Sequence, residues 1–545
     1  MSKVAHYLQE HLLGEVSISP DARRFFSTDN SVFSVTPSIV VYPRNEHDVR
    51  KTARFAWQLA DRGRFIPITA RGAGTDFSGG ALGEGVILAF PAHMNRIVLL
   101  DQKTGTVVVE PGLNYGRLQQ TLQTHERFSP PYPASLEYST VGGAVANNAA
   151  GEKSVKYGPT SNFVSGLRVV LSNGEVIETK RLSKRELNKK LGLTTFEGEI
   201  YRTLDKLIEE NRDTVASLHK NVARNTAGYD LSVVKHKDGS FDLTPLFVGS
   251  QGTLGIISEI TLETELFNPE TTLMTADFES YESATEAILA LRSFPNMPSI
   301  IDMVDETLLT IVDSLNPNQL KNCIHKPYPK VQLLVEFDDL SLRQRKKGVK
   351  KARELFEKLA IRFDIANNKQ DQDKMWKIRH SSANLLAHSE QQNKAIPIIE
   401  DAIVPVDALP ELLNAVQSVS KTVNQPIAIW GHAGEGNVEV HPYFDLSKIG
   451  DKQLMFRIWR EFYDKVAELG GSTSGSHNDG RVRAAFLPSL YGEDAYQLLK
   501  KVKKIFDPFN ILNPGVKIDV DLEALKPHVR QHYSLDHLYN HMPRS

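Results

Sequence analysis

Apolar and polar positions follow two rhythms along the chain, and the order of those rhythms predicts its elements. Ile39-Val40-Val41-Tyr42 is a short β-type run closed by Pro43; Asp48 to Leu59 repeats apolar residues at helical spacing, with Val49, Ala53 and Ala56 on one side; Phe65 to Ala70 is apolar again. A strand, a helix and a strand are expected. Further β-type runs at Gly85 to Phe90, Ile97 to Leu100, Thr106 to Val109, Val164 to Ser172 and Phe247 to Leu262, with few helical stretches between them, predict a strand-rich first half. From about Thr271 the rhythm changes. Strands at Leu273 to Phe278, Ile300 to Val304 and Val331 to Phe337 alternate with helices at Ser283 to Leu291 and Leu340 to Leu359. That order suits an antiparallel sheet backed by two helices, as in a ferredoxin-like unit, and makes the whole chain α+β with a boundary near residues 266–270. The polar stretch after Lys517 is expected to lie over the surface or to reach toward a partner.

At 545 residues the chain is too long for one core, so two or three domains able to bury a large cofactor between them are expected. Lys plus Arg (64) nearly balances Asp plus Glu (66), leaving a formal charge of −2, which gives no pull toward nucleic acid or an anionic membrane and favours a small-molecule partner. The single cysteine, Cys323, rules out an internal disulfide, a cysteine-rich zinc site and an iron–sulfur cluster, and points to a reducing, cytoplasmic compartment. Met1 to Val16 lacks the pattern of a secretory signal, and no apolar run approaches the ~18 residues of a membrane span. The basic segment Arg343 to Lys351 leads into helical spacing and reads as a solvated helix face.

Candidate chemistry begins where the strand ending at Ala70 delivers Arg71-Gly72-Ala73-Gly74-Thr75-Asp76-Phe77-Ser78-Gly79-Gly80. Glycine permits positive φ and has no side chain in the way, so such a turn can converge amides on an anion, although a tight turn without a ligand has the same composition. Two more glycine clusters follow, at Ser139 to Gly151 with Gly142, Gly143, Asn147 and Asn148, and at Val248 to Ile257 with Gly249, Gly252 and Gly255. Three such loops exceed what folding punctuation requires.

In order and spacing the three clusters resemble the vanillyl-alcohol-oxidase (PCMH-type) FAD domain, in the branch containing D-lactate, glycolate and D-2-hydroxyglutarate dehydrogenases. The likeness runs from about Pro37 to Thr264 and resumes at Phe506-Asp507-Pro508 and Leu512-Asn513-Pro514-Gly515. It implies an N-terminal extension (1–36), an FAD-binding domain (37–267), a ferredoxin-like substrate or cap domain (268–450), a helical segment returning to the flavin (451–517) and a tail (518–545). It also implies that Arg71, Gly72, Ala73, Gly74, Thr75, Ser78 and Gly79 wrap the pyrophosphate. Thr140, Gly142, Gly143, Asn147, Asn148 and Gly151 would line the ribityl chain and flavin. Gly252, Thr253, Gly255, Ile256 and Ile257 would lie near the adenine and pyrophosphate, with Asn513 as a further contact. No histidine or cysteine stands between Arg71 and Gly80, so non-covalent FAD is expected.

The candidate reaction centre is in the second half. Gly431-His432-Ala433-Gly434-Glu435-Gly436-Asn437-Val438-Glu439-Val440-His441 sets a glycine turn between His432 and the pair Glu439 and His441, which share a strand face. Histidine and carboxylate together suit Zn²⁺ or another divalent metal. In the family the ligands are His, His and Glu; here His432 keeps the first, Glu439 replaces the second and Ser476 replaces the glutamate, so histidines merely hydrogen-bonded in a turn-rich core remain an alternative. The resemblance makes His477 the group that takes the α-hydroxyl proton, a task for a neutral imidazole with a pKa near ~6.5. It makes Arg379, in Trp376-Lys377-Ile378-Arg379, and Lys394 the clamp for a substrate carboxylate.

The expected activity is therefore FAD-dependent oxidation of a 2-hydroxy acid to a 2-oxo acid by hydride transfer to the flavin. Two other readings stand beside it: a non-redox flavoenzyme like alkyl-glycerone-phosphate synthase, and a flavin-bearing subunit with an altered metal site. The larger relatives carry an appended iron–sulfur segment, so a separate electron acceptor, association at a membrane periphery through that acceptor, and a homodimer are compatible with the likeness.

Overall fold

The computed structural model describes residues 2–382, 393–535 and 538. Strand Ile39–Tyr42, helix Glu46–Asp61 and strand Ile68–Arg71 form as the apolar spacing predicts, with Asn45 Oδ1 capping the helix by accepting from Asp48 N. Val86–Ala89 lies between those strands and parallel to both, while Glu15–Ser17 adds an antiparallel edge. A second, antiparallel sheet runs in the order Ile97–Asp101, Thr106–Val109, Ile256–Glu263, Val164–Val170, Val176–Thr179. Helices Tyr115–Gln123, Phe196–Glu210 and several shorter ones pack beside it, so the first half is richer in helix than the apolar runs suggest. The run Phe247 to Leu262 is not one strand: Thr244–Phe247 is a helical turn, and positive φ at Gly249, Gln251 and Gly252 turns the chain before the strand starts at Ile256.

In the second half, Thr272–Phe278, Ile300–Asp305, Val331–Phe337 and Arg362–Ala366 pair antiparallel in the ferredoxin-like order, with Tyr281–Arg292 and Leu342–Leu359 on one face. Every residue of the first three strands is buried, so the sheet is covered on both sides. The alternation of side chains divides Ile300–Asp305 between them. Ile301 and Met303 join the large core under the two helices, whereas Val304 packs toward Ile378 and Trp430 and Asp302 points the same way. Three further strands, Ile429–Gly431, Asn437–Val440 and Ala402–Ile403, extend the sheet to seven and bring the histidine-bearing turn to its edge. Among the described residues, no helix is long and apolar enough to cross a membrane.

The stretch after Lys517 does more than lie over the surface. Val529 and Tyr533 are buried, and Val529 bridges to Phe33. The rest of the expected tail, 536–537 and 539–545, lies outside the described residues.

Candidate functional site

The three glycine clusters meet around one cleft of about 770 Å³, lined by Ala70 to Asp76, Thr140, Gly142, Gly143, Asn147, Gln251, Gly252, Gly255 and Ile257, among others. Their glycines divide into two kinds. At Gly72 an added Cβ would lie 2.2 Å from Thr140 Oγ1 and at Gly142 2.5 Å from Pro111 Cβ, so these two let loops pack on each other. At Gly143 the nearest atom would be Thr140 Oγ1 at 3.2 Å and at Gly252 Ala70 Cβ at 3.7 Å, so a side chain on either would enter the cleft itself. The second cluster is not an open loop: Val141–Asn147 is a short helix, capped by Thr140 Oγ1 accepting from Gly143 N at 3.2 Å.

Several other residues expected to touch the cofactor have side chains or close backbone contacts that also hold the walls of the cleft together. The Arg71 guanidinium turns inward, donating to Phe26 O at 3.3 Å and Thr28 O at 2.7 Å, and burial pulls its pKa down to about 10. Ser78 Oγ donates to Asp76 and accepts from Gln251. Gly79 packs against Phe33 and Ser31, and Gly151 lies so near Tyr132 O that a Cβ would come within 1.9 Å. Asn148 Oδ1 accepts from Ser161 N, Thr253 Oγ1 donates to Ser250 O, and Ile256 sits in the core with Ile39 and Ile68. Asn513 ties the first cluster to the third, donating to Gly80 O and Gln251 O at 2.8 Å each.

His477 stands on the loop Ser474 to Gly480. Asp401 shapes that loop by accepting from the amides of Gly475, Ser476 and His477 and from Ser476 Oγ at 2.7 to 3.0 Å. The Ser476 hydroxyl is thereby committed to Asp401. The next residue, Asn478, donates to Asn147 O at 3.0 Å and Gly249 O at 2.8 Å, which fastens the histidine loop to the second and third glycine-rich segments. His477 Nδ1 lies 2.5 Å from Glu400 Oε2, and Glu400 Oε1 accepts from buried Arg483. This leaves Nε2 facing Glu439 Oε1 at 3.8 Å. Phe77, from the first glycine cluster, places its ring 5.5 Å from that of His477 and 5.7 Å from that of His441.

The surroundings of His477 favour its charged form, whereas the expected role needs a neutral imidazole. Burial opposes its charge, but its acidic neighbours, Glu400 foremost, overcome that and lift it to about 10. Burial, with Glu400 and Asp401 nearby, holds Glu439 well above the usual carboxylate range. Burial pushes His441 down to about 4, and neither of its ring nitrogens has a hydrogen-bond partner.

Glu400, Glu439 and His441 offer ligand atoms within 4.8 Å of one another, and so do Asp401, Glu439 and His477. His432 belongs to neither grouping. Its Nδ1 lies 2.9 Å from Asp302 Oδ1, and the second oxygen of Asp302 accepts from Arg379 Nε at 2.7 Å. Arg379 is thus a buried ion-pair partner rather than a free cation. Lys394, half-buried, opens a two-residue strand paired with Tyr443–Phe444, the strand that follows His441. Sequence reasoning missed Glu400, Asp302, Asp401 and Arg224, the last a buried cation paired with Glu435 and donating to Gly475 O. The carboxylate doublet Glu400-Asp401, enclosed in an apolar run, was the available signal.

Residues 37–180 match the family described as FAD binding domain, and residues 268–516 match FAD linked oxidases, C-terminal domain. The chain is 31% identical over 526 residues to a D-2-hydroxyglutarate dehydrogenase of Escherichia coli (strain K12), covering 93% of this chain and 50% of that one. It is 28% identical over 483 residues to glycolate oxidase subunit GlcD of Bacillus subtilis (strain 168), covering 88% of each. The chain spans about half the length of several curated relatives it matches. Among solved structures, 4-ethylphenol oxidase from Gulosibacter chungangensis in an isoeugenol complex superposes with a TM-score of 0.69 at 16% identity, covering 96% of this chain and 98% of that one. That likeness extends to the fold.

Proposed function

We propose, from the matches of residues 37–180 to the FAD binding domain and 268–516 to the C-terminal domain of FAD linked oxidases, that this chain oxidises a 2-hydroxy acid to the 2-oxo acid, with D-2-hydroxyglutarate, D-lactate and glycolate as the first candidates. One observation carries the reading: the loop bearing His477 is hydrogen-bonded through Asn478 to the backbone of two cofactor-cleft segments. The acid–base group and the cleft are built as one site. Gly143 and Gly252, open to the cleft, fit it to a flat, extended cofactor. FAD, when bound, supplies the hydride acceptor.

The chain's own residues supply proton handling and substrate orientation. Glu400 fixes the His477 ring through Nδ1, so Nε2 is the nitrogen that would receive the α-hydroxyl proton. His477 must be neutral when the substrate arrives, which its carboxylate neighbours oppose. His441, buried with both ring nitrogens unpartnered, fits a divalent cation together with Glu439, and Glu400 completes the set. Such a cation would offset the carboxylates and polarise the substrate oxygen. Asp302 holds Arg379 by Nε, leaving the two Nη groups to meet a substrate carboxylate, with Lys394 as the second cation. In this division residues 37–267 serve the cofactor, 268–450 the substrate, and 451–517 bring His477 back to both.

Anaerobic mixing of the FAD-loaded protein with a panel of 2-hydroxy acids should bleach the flavin with D-2-hydroxyglutarate, D-lactate or glycolate. A flavin left oxidised by the whole panel, with and without Zn²⁺ or Mn²⁺, would sink the proposal.

A further inference from the structure

Two segments outside both matched regions are fastened to each other and to the first glycine cluster. Residues 27–33, ahead of the first matched region, form the floor of that cluster. Asn30 N donates to Gly74 O and Asn30 Nδ2 to Thr75 O, each at 3.2 Å, while Phe26 O and Thr28 O take the Arg71 guanidinium. Residues 528–533, beyond the second matched region, grip this floor from outside. Ser34 N donates to His528 O at 2.8 Å and Arg530 N to Val32 O at 2.9 Å. The Arg530 guanidinium donates to Phe33 O at 2.8 Å and to Asp29 O, and Tyr533 OH donates to Asn30 O at 2.6 Å. Arg530 and Tyr533 are 7% and 6% exposed, so these bonds are shielded from water.

We propose that Arg530 and Tyr533 are positioning residues for the cofactor, acting through Asp29 and Asn30 to hold the Arg71 to Thr75 loop in its FAD-binding shape. The inference rests on the reading of that loop as part of the FAD cradle. Asn30 is the link: its carbonyl is held by Tyr533, and its amide and side chain are the groups that hold Gly74 and Thr75. A residue with three of its polar groups engaged cannot shift on one side without shifting on the other. The clamp acts on loop order, and so on how long the cofactor stays bound. It touches neither the His477 loop nor the Glu400 and Asp302 carboxylates.

The test uses full-length Arg530→Ala, Arg530→Lys and Tyr533→Phe proteins with two measurements. The first is FAD dissociation, followed by the rise of free-flavin fluorescence on dilution. The second is amide hydrogen exchange of the flavin-free protein. FAD should leave about tenfold faster or more from Arg530→Ala and about threefold faster from Tyr533→Phe, with Arg530→Lys between wild type and Arg530→Ala, as losing buried hydrogen bonds of charged and neutral type predicts. Exchange at residues 72–76 should quicken by a similar factor while exchange in Val331–Phe337 stays at the wild-type rate. Unchanged exchange at 72–76, or acceleration spread equally over both regions, would overturn the proposal. So would unchanged FAD release. Because exchange is read without flavin, failure of the clamp is distinguishable from failure of the cofactor assignment, which would show as a wild-type protein that holds no FAD.

Discussion

His477 and Glu400 form a pair in which each sets the other's state. Burial works against charge on Glu400, yet His477 and Arg483 keep it well below the usual carboxylate range. Replacing Glu400 by Gln keeps the shape and removes the charge. Flavin reduction should slow by about a hundredfold with FAD content unchanged, as for loss of a group that tunes a general base. The pH profile of kcat/KM should move toward lower pH, because the carboxylate that raises His477 is gone; a profile that stays in place would show that Glu400 does not act through the imidazole. Stability carries the same sign. A folded-state pKa raised from the ordinary ~6.5 to about 10 means the native protein holds this proton more tightly, so the contribution is complete below about pH 6.5 and is lost as pH climbs through about 10. The melting temperature of the cofactor-free protein should fall over that interval, and His477→Gln should flatten the fall. These residues also mark where the sequence stopped being legible. His477 stood out because its motif is local, whereas Glu400 and Asp302 lie 77 and 130 residues from the histidines they hold, and nothing in a one-dimensional pattern connects them. The burial of Arg379 and its pairing with Asp302 were hidden for the same reason, since Asp302 comes from a distant strand.

Elements were more legible where apolar spacing alone decides them. Ile39–Tyr42, Thr106–Val109 and Val331–Phe337 have the limits that their β-branched and apolar runs suggest. Where glycine intervenes, composition is ambiguous: Ser139 to Gly151 has the residues of a loop, yet Thr140 caps a helix there, and small side chains let that helix lie against Pro111. Gly143 on this helix gives the sharpest test of the cleft. Its φ is unexceptional and a Cβ meets only Thr140 Oγ1, at 3.2 Å, a contact that a small shift of that hydroxyl relieves, so Gly143→Leu should fold with a modestly lowered melting temperature while binding FAD at least about a hundredfold more weakly, since a leucine would occupy the cofactor's volume. Wild-type flavin content in this variant would move the cofactor elsewhere.

The two halves of the molecule meet at the site, and the meeting is electrostatic as well as apolar. Lys153 and Lys156, just past the second glycine cluster, reach Asp338 at the end of Val331–Phe337 at 2.9 and 2.6 Å, Lys153 also reaches Glu336 at 2.5 Å, and Tyr157 OH donates to Asp338 at 3.0 Å. Asp338 and Glu336 are almost wholly buried, so the pairs are shielded from salt and removal of one partner strands the others. Asp338→Ala should therefore cost about 3 kcal/mol. Its effect should be more specific than a uniform loss. The cleft belongs to the first half and His477 to the second, so the junction that Asp338 holds is also the one that sets the histidine loop over the cofactor. In urea, wild-type protein with FAD should unfold with flavin fluorescence and tryptophan emission changing together, because the buried ion pairs couple the first half to the second, which holds Trp376, Trp430 and Trp459. In Asp338→Ala the flavin signal and the tryptophan signal should separate, and added FAD should stabilise the flavin-reporting step by about 1.4 kcal/mol for each tenfold rise above its dissociation constant while leaving the other step in place. Coincident transitions in the variant would mean that the junction is held by apolar packing, with the ion pairs incidental to it.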